Sequence, residues 1–573
     1  MNRPNLIWVA LLIFIISSCS SSNNESVNND EINISKVILY HNGDIITMEG
    51  DNPEYAEALV VDKDKIVFVG SEIEAKEKYM NFSKVDLKGK TLVPGFVDGH
   101  VHFSALGTQA LSANLLASPD GEVNTIDDLI RVFKDWTNNN EPELFNGWYI
   151  GMGFDDAIFG KFPTKDDLDK VSKEVPVMAI HISGHFCVIN TKGLEVAGIT
   201  SDTENPEGGI IRRVSGTNEP NGVLEELAAI PLMGKTITPD TPEKIDKFTN
   251  AAQDLAISFG YTTAQEGRAS TNHEALAKFA TEGKLKIDVP SYIDYAIPKY
   301  FETDWYSTEY KNHYRIAGIK LTLDGSPQGR TAWRTEPYLI PPDGESADYN
   351  GYPAIPEDEK VQEIVNMAYK NSWQLLVHCN GDAAADQMIR AVSNAANEFG
   401  NTDRRTTLIH GQYIRYDQID SLAKYDIIPS LFPMHTYYWG DWHRQIIGEE
   451  KGSHISPTKT ALKKCGIVTS HTDAPVALPN LMMILWTTVN RQTRSGDIIG
   501  PEEALTPYEA LKTITIWGAY QHFEEDTKGS LKPGKLADLV ILSDNPLKVD
   551  PLSLKDILVL ETIKEGNSIY KRE

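Results

Sequence analysis

Six side chains in this 573-residue sequence are of the kinds that hold a divalent metal: His100, His102, Lys320, His378, His410 and Asp473. His100 and His102 stand two apart in GFVDGHVHF, a spacing that turns both imidazoles to one face of an extended strand. His378 closes the apolar run LLVHC, His410 closes TLIH, and Asp473 lies in VTSHTDAPV. Neutral imidazole and carboxylate are the donors a borderline metal such as zinc takes. Lys320 lies inside an apolar strand, GIKLTLDG, where an amine must lose its charge, find a partner or serve chemistry. It is either ion-paired with a nearby acid such as Asp324, or carboxylated by CO2 into an oxygen donor that bridges two metals. Arg330, after LDGSPQG, either orients a substrate carboxylate or carbonyl, or pairs with an acid.

Residues so far apart in sequence converge only if the fold brings several strand ends to one rim. Eight short apolar runs fit that requirement: Leu92–Asp98, Thr262–Glu266, Ile287–Ile293, Ile316–Leu323, Leu375–Cys379, Thr407–His410, Ile427–Phe432 and Val468–Asp473. Helix-compatible segments such as Pro356–Asn371 and Asp382–Phe399 alternate with the later ones, the pattern of a parallel α/β architecture. Eight such units predict a (β/α)8 barrel over residues 91–520, with its active site at the carboxyl ends of the strands. Residues 36–90 and 521–573 instead alternate strands and turns, and are expected to form one small β-sandwich from both ends of the chain. The stretch 106–248 is far longer than a βα loop needs and reads as an insertion over the barrel mouth.

The formal net charge is −27, so no basic stripe is present to displace counterions from phosphates, and nucleic acid is excluded as a partner. Arg3 followed by the apolar run Leu6–Ile16 and then Ser17-Ser18-Cys19 reads as a lipoprotein signal peptide, residues 1–18, with lipidation at Cys19. A Ser/Asn-rich tether over 19–35 follows. The chain is expected in the cell envelope, outside the cytoplasm and held to the membrane through that lipid alone; Ser20 after the cysteine points to the outer membrane if the cell is Gram-negative. Cys187, Cys379 and Cys465 have no close spacing, and so predict neither a zinc knuckle nor a disulfide framework.

The motifs together resemble the amidohydrolase superfamily, and within it amidohydrolase family 3 and its YtcJ-like branch. The resemblance is carried by LVPGFVDGHVHF, GFDDAIFGKFPTKDDLD, SGHFCVIN, GYTTAQE, IKLTLDGSPQGRTA, LLVHCNGDAAAD, IHGQ, HTDAPV and PGKLADLVIL. It implies that His100, His102 and Asp473 hold one metal, that His378 and His410 serve a second, and that Lys320 is the carboxylated bridge. It also implies that His185, in SGHFCVIN, faces the substrate, although a surface or capping histidine would read the same way. The expected reaction is hydrolysis of a C–N bond in a linear N-substituted amide by metal-activated hydroxide, with Asp473 as general base and then general acid. The cofactor expected is one or two divalent ions, zinc by ligand type. The partners are a small-molecule substrate and, in a homodimer, a second copy of the chain. Two other readings compete. Deamination of a ring amidine is disfavoured by Lys320 and by Cys-Asn-Gly-Asp after His378; a non-catalytic binding lipoprotein is disfavoured by retention of every candidate ligand.

Overall fold

The computed structural model describes residues 37–342 and 344–573. The leader, the tether and the lipidation expected at Cys19 lie outside the described residues.

The centre is a curled, all-parallel sheet of seven strands in chain order: Glu266–Ala269, Val289–Asp294, Tyr314–Thr322, Gln374–Cys379, Thr407–His410, Ile428–Leu431 and Thr469–Ser470. Helices Asp358–Lys370, Asp382–Phe399, Tyr416–Lys424 and Thr458–Cys465 cross between its later strands. The strand Tyr314–Thr322 is buried over all but its last residue, as expected of a parallel strand covered on both faces. Ile319, Leu321, Leu375 and Val377 pack outward against Val361, Val365, Met388 and Val392 of the crossing helices.

Where the first of the eight expected strands was read as one run over 92–98, the chain serves two sheets. Thr91–Pro94 belongs to the sheet at the chain ends, and only Phe96–Val97 joins the parallel system, beside Tyr261–Thr263. The reason is local. Gly95 donates its N–H to Asp538 O, and a Cβ there would meet Thr262 Oγ1 at 2.2 Å, so the strand passes from one sheet to the next at a residue without a side chain. The second expected strand is likewise split, into Tyr261–Thr263 and Glu266–Ala269. Hydrogen bonds from Gly99 N to Ser470 O (3.3 Å) and from Asp473 N to His100 O (3.0 Å) tie the last strand to the chain just past the first.

Between these first two strands lies a separate six-stranded mixed sheet, ordered Gly209–Arg213, Pro220–Glu226, Phe186–Ile189, Val177–His181, Tyr149–Phe154, Ala113–Asn114. Alternation along its buried strand sends Met178 and Ile180 to one core, with Phe145 and Leu224, and Val177 and Ala179 to another, with Leu129 and Phe133.

The two chain ends share one eight-stranded sheet, joined where Leu539–Leu542 pairs antiparallel with Thr91–Pro94. Its ladders are continuous, and strands from both chain ends pack on one core through Leu59, Ile66, Leu92, Leu539, Ile541 and Ile563. The long strand Val37–Ile46 shifts register between His41 and Ile45, pairing with Tyr55–Asp62 on one side and with both Ser83–Asp86 and Thr91–Pro94 on the other. Buried ion pairs fasten this sheet to the central one: Asp288 meets Lys528 and Lys564, and Lys564 also meets Asp538.

Candidate metal centre

The carboxyl ends of the parallel strands surround a cavity of about 230 Å³, lined among others by His100, His102, Lys320, His378, His410 and Asp473. All six candidate ligands therefore meet. His100, His102 and Asp473 offer one donor atom each within 4.8 Å of one another. Asp473 Oδ1 lies 3.7 Å from His100 Nε2 and 3.4 Å from His102 Nε2, while Oδ2 lies 3.9 Å from His410 Nε2. His410 Nε2 in turn stands 3.1 Å from His378 Nδ1, and Lys320 Nζ 3.0 Å from His100 Nε2. Ligands at about 2.0–2.1 Å from a tetrahedral zinc are roughly 3.3 Å apart, so these separations fit a metal.

The backbone explains the convergence. Asp473 N donates to His100 O and His102 N to Ala474 O, so the histidine pair and the aspartate are stitched into one unit. Beneath it Asp98, fully buried, accepts from Tyr261 Oη (2.6 Å), Thr472 Oγ1 (2.6 Å) and His100 N (3.1 Å). Burial raises its pKa to about 6 against those hydrogen bonds. His410 and Asp473 both have positive φ, 80° and 50°, a conformation that costs a non-glycine residue and persists only where the surroundings enforce it.

The hydrogen bonds assign the tautomer of His100. Gln265 Nε2 donates to Gly99 O (3.2 Å), which turns Oε1 toward His100 Nδ1 at 2.5 Å. Nδ1 of His100 therefore carries the proton and Nε2 presents its lone pair to the cavity. His378 Nε2 lies 3.2 Å from Gly325 O and 3.1 Å from the Asn380 amide nitrogen, and its Nδ1 faces His410. Ser430 Oγ and His471 back His410 Nδ1 in a chain, with 3.0 Å at each contact, and His410 Nε2 faces His378 and Asp473. Burial first, then the neighbouring Lys320, holds His378 near a pKa of about 3; burial first also holds His100 and His410 well below the ordinary histidine range. His378 Nδ1 and His410 Nε2 thus face each other across 3.1 Å. Four imidazoles, a carboxylate and an amine with donor atoms 3.0–3.9 Å apart form a donor set that fits a divalent metal.

Lys320 is fully buried, and that burial lowers its pKa to about 7, leaving much of the amine neutral, the form that adds CO2. No ion pair to Asp324 forms. The Asp324 carboxylate instead accepts backbone N–H groups of Trp333, Asn380 and Gly381 at 2.7–3.0 Å.

His185 also lines the cavity, reaching in from the inserted sheet with its Nδ1 2.9 Å from Glu226 Oε2. Arg330 is not among the lining residues; its guanidinium lies over the Trp442 ring, 4.5 Å from the centroid. Sequence reading assigned no role to Gln265, His471 or Ser430, which contact the candidate ligands, because nothing in their local spacing marks one. It passed over Arg268 as well, a lining residue three positions after Gln265 in GYTTAQEGRAS.

A sequence profile of the amidohydrolase family matches residues 84–570. The chain is 27% identical over 551 residues to the YtcJ protein of Bacillus subtilis (strain 168), covering 93% of this chain and 99% of that one. It is 25% identical over 559 residues to an N-substituted formamide deformylase of Arthrobacter pascens, covering 93% and 98% respectively. Among solved structures, an uncharacterized metal-dependent hydrolase of Pyrococcus horikoshii OT3 superposes with a TM-score of 0.70 at 23% identity, over 93% of this chain and 100% of the other.

Proposed function

The chain belongs to the amidohydrolase family, metal-dependent hydrolases of C–N bonds, and on that premise we propose that it cleaves a linear N-substituted amide, with the N-acyl group of an amine as the bond attacked. The supporting observation is the convergence of His100, His102 and His410 on the two oxygens of Asp473, with His378 beside His410 and Lys320 beside His100. The formamide deformylase among the relatives supports the linear amide as substrate class.

We read His100, His102 and Asp473 as the ligands of a first divalent ion, zinc by donor type, and His378 and His410 as those of a second, with carboxylated Lys320 between them. The carboxylation balances as amine plus CO2 giving a carbamate and one proton. The chemistry supplied by such a metal when bound is a water pKa lowered from about 15.7 to about 7 and a polarised carbonyl. Asp473 takes the proton of the attacking water as the C–O bond forms, and returns it to nitrogen as the C–N bond breaks, releasing a carboxylic acid and an amine. His185, fixed by Glu226, faces the substrate from the inserted sheet. The parallel sheet is read as a closed (β/α)8 barrel, and Cys19 as its lipid anchor in the cell envelope.

A panel of N-acyl amines and N-acyl amino acids, offered to zinc-reconstituted protein and followed by amine release, tests the reading. Turnover of at least one linear amide, lost in Asp473→Asn, is expected; release of ammonia from ring amidines with no amide turnover would contradict it.

A further inference from the structure

Resting on that reading, we propose that Arg268 is a specificity residue that binds a carboxylate on the substrate, so that the preferred amides are N-acyl amino acids rather than neutral N-acyl amines.

Arg268 lies on the strand Glu266–Ala269 and lines the same cavity as the six candidate ligands. Its neighbour Gly267 packs directly on the His100 ring, where a Cβ would stand 2.3 Å from Cε1, so the strand backbone at Arg268 is held beside that ring. Nε donates to Asp294 Oδ2 at 2.6 Å, and Asp294 is itself held by Ala296 N at 2.9 Å. Among the described residues no hydrogen bond engages Nη1 or Nη2 of Arg268. A guanidinium tied at Nε with both terminal nitrogens open is the arrangement that takes a carboxylate through two parallel hydrogen bonds.

The rest of the lining makes this charge distinctive. Apart from the proposed metal ligands and the histidines, only Arg268 and Asp324 carry charge. Asp324 is turned away from solvent into three backbone amides. His185 is already paired with Glu226. Arg268 is thus the permanent cation facing the space a substrate fills beside the metal centre. Its side chain is 49% exposed, so an incoming anion reaches it without unfolding anything.

The test compares N-formylalanine with N-formylalaninamide, which differ only in the carboxylate, on zinc-reconstituted full-length protein. Calorimetric Kd values are read alongside alanine or alaninamide release, for the wild type and for Arg268→Gln. About tenfold tighter binding of the carboxylate form by the wild type is expected, the scale of one charge-assisted bidentate pair half open to solvent. The ratio of the two affinities should fall toward unity in Arg268→Gln and partly recover in Arg268→Lys. Equal binding of the two compounds by the wild type overturns the inference. So does a preference that survives in Arg268→Gln, which would assign the carboxylate to the metal centre instead. Discrimination in binding without turnover of either compound would sink the hydrolytic reading and leave this one standing; turnover without discrimination does the reverse.

Discussion

Lys320 is an amine placed where the surroundings favour an anion. It is buried, its pKa is lowered to about 7, and its closest polar contact is the unprotonated Nε2 of His100. Lys320→Ala is therefore expected to lose bound metal and amide turnover, and formate, acetate or propionate should partly restore both by filling the space of the carbamate. Full activity in that variant would mean the lysine is only structural. Gln265 acts one layer out by fixing the tautomer of His100. Gln265→Leu is expected to weaken metal affinity by about 10–100-fold while the fold persists, as read by metal titration beside far-UV circular dichroism. Unchanged affinity would break the tautomer assignment. The contrast between these residues shows what a sequence discloses. Five candidate ligand positions were legible because each ended an apolar run or stood two from another histidine. Gln265, His471 and Ser430 were not, because their roles depend on which strands lie side by side.

The strand ends act as a frame, and small residues set its tolerances. Gly267→Ala places a methyl within 2.3 Å of the His100 ring, against rigid strand backbone, and should displace that imidazole. A drop in metal affinity of about 10–100-fold is expected without gross unfolding, and a metal titration matching the wild type would show that the ring has room. At this scale the sequence was partly readable. The apolar runs located the parallel strands, since strands covered on both faces must be apolar throughout. It did not reveal that Gly95 hands one run from the terminal sheet to the central one, or that the run over 262–266 breaks into Tyr261–Thr263 and Glu266–Ala269. Nor did it separate Arg330, stacked on Trp442, from Arg268, which faces the cavity. Both are loop or strand-end arginines beside small residues, and only the chain path distinguishes them.

Across the whole molecule, the sheet formed by both chain ends is fastened to the central sheet by buried charges rather than by apolar packing alone. Burial by itself would raise the pKa of Glu524, but Lys528 and Arg315 outweigh it and hold the carboxyl at about 2. For Asp288 the opposing burial is likewise outweighed, by Lys528 and Lys564, and the carboxyl is held well below the usual range. A carboxylate with a lowered folded pKa contributes stability that is complete above its ordinary value, 4.5 for Glu524, and is lost as pH falls toward about 2. Urea midpoints are accordingly expected to decline steeply over that window, and a flat profile would contradict the network. Lys564→Met leaves Asp538 and part of Asp288 uncompensated in the interior and should cost about 3–5 kcal/mol. This frame exists to hold one cavity, and the central claim is that the cavity is a metal-dependent hydrolytic centre. The most direct test is amine release by the same preparation before chelation, after chelation and after zinc is returned, with bound metal measured at each stage. Activity that vanishes with the metal and returns with it, and that Asp473→Asn lacks even when zinc is bound, is the expected result. A chelated protein that still releases amine, or a protein that cannot be made to hold zinc, manganese or iron, would contradict the account.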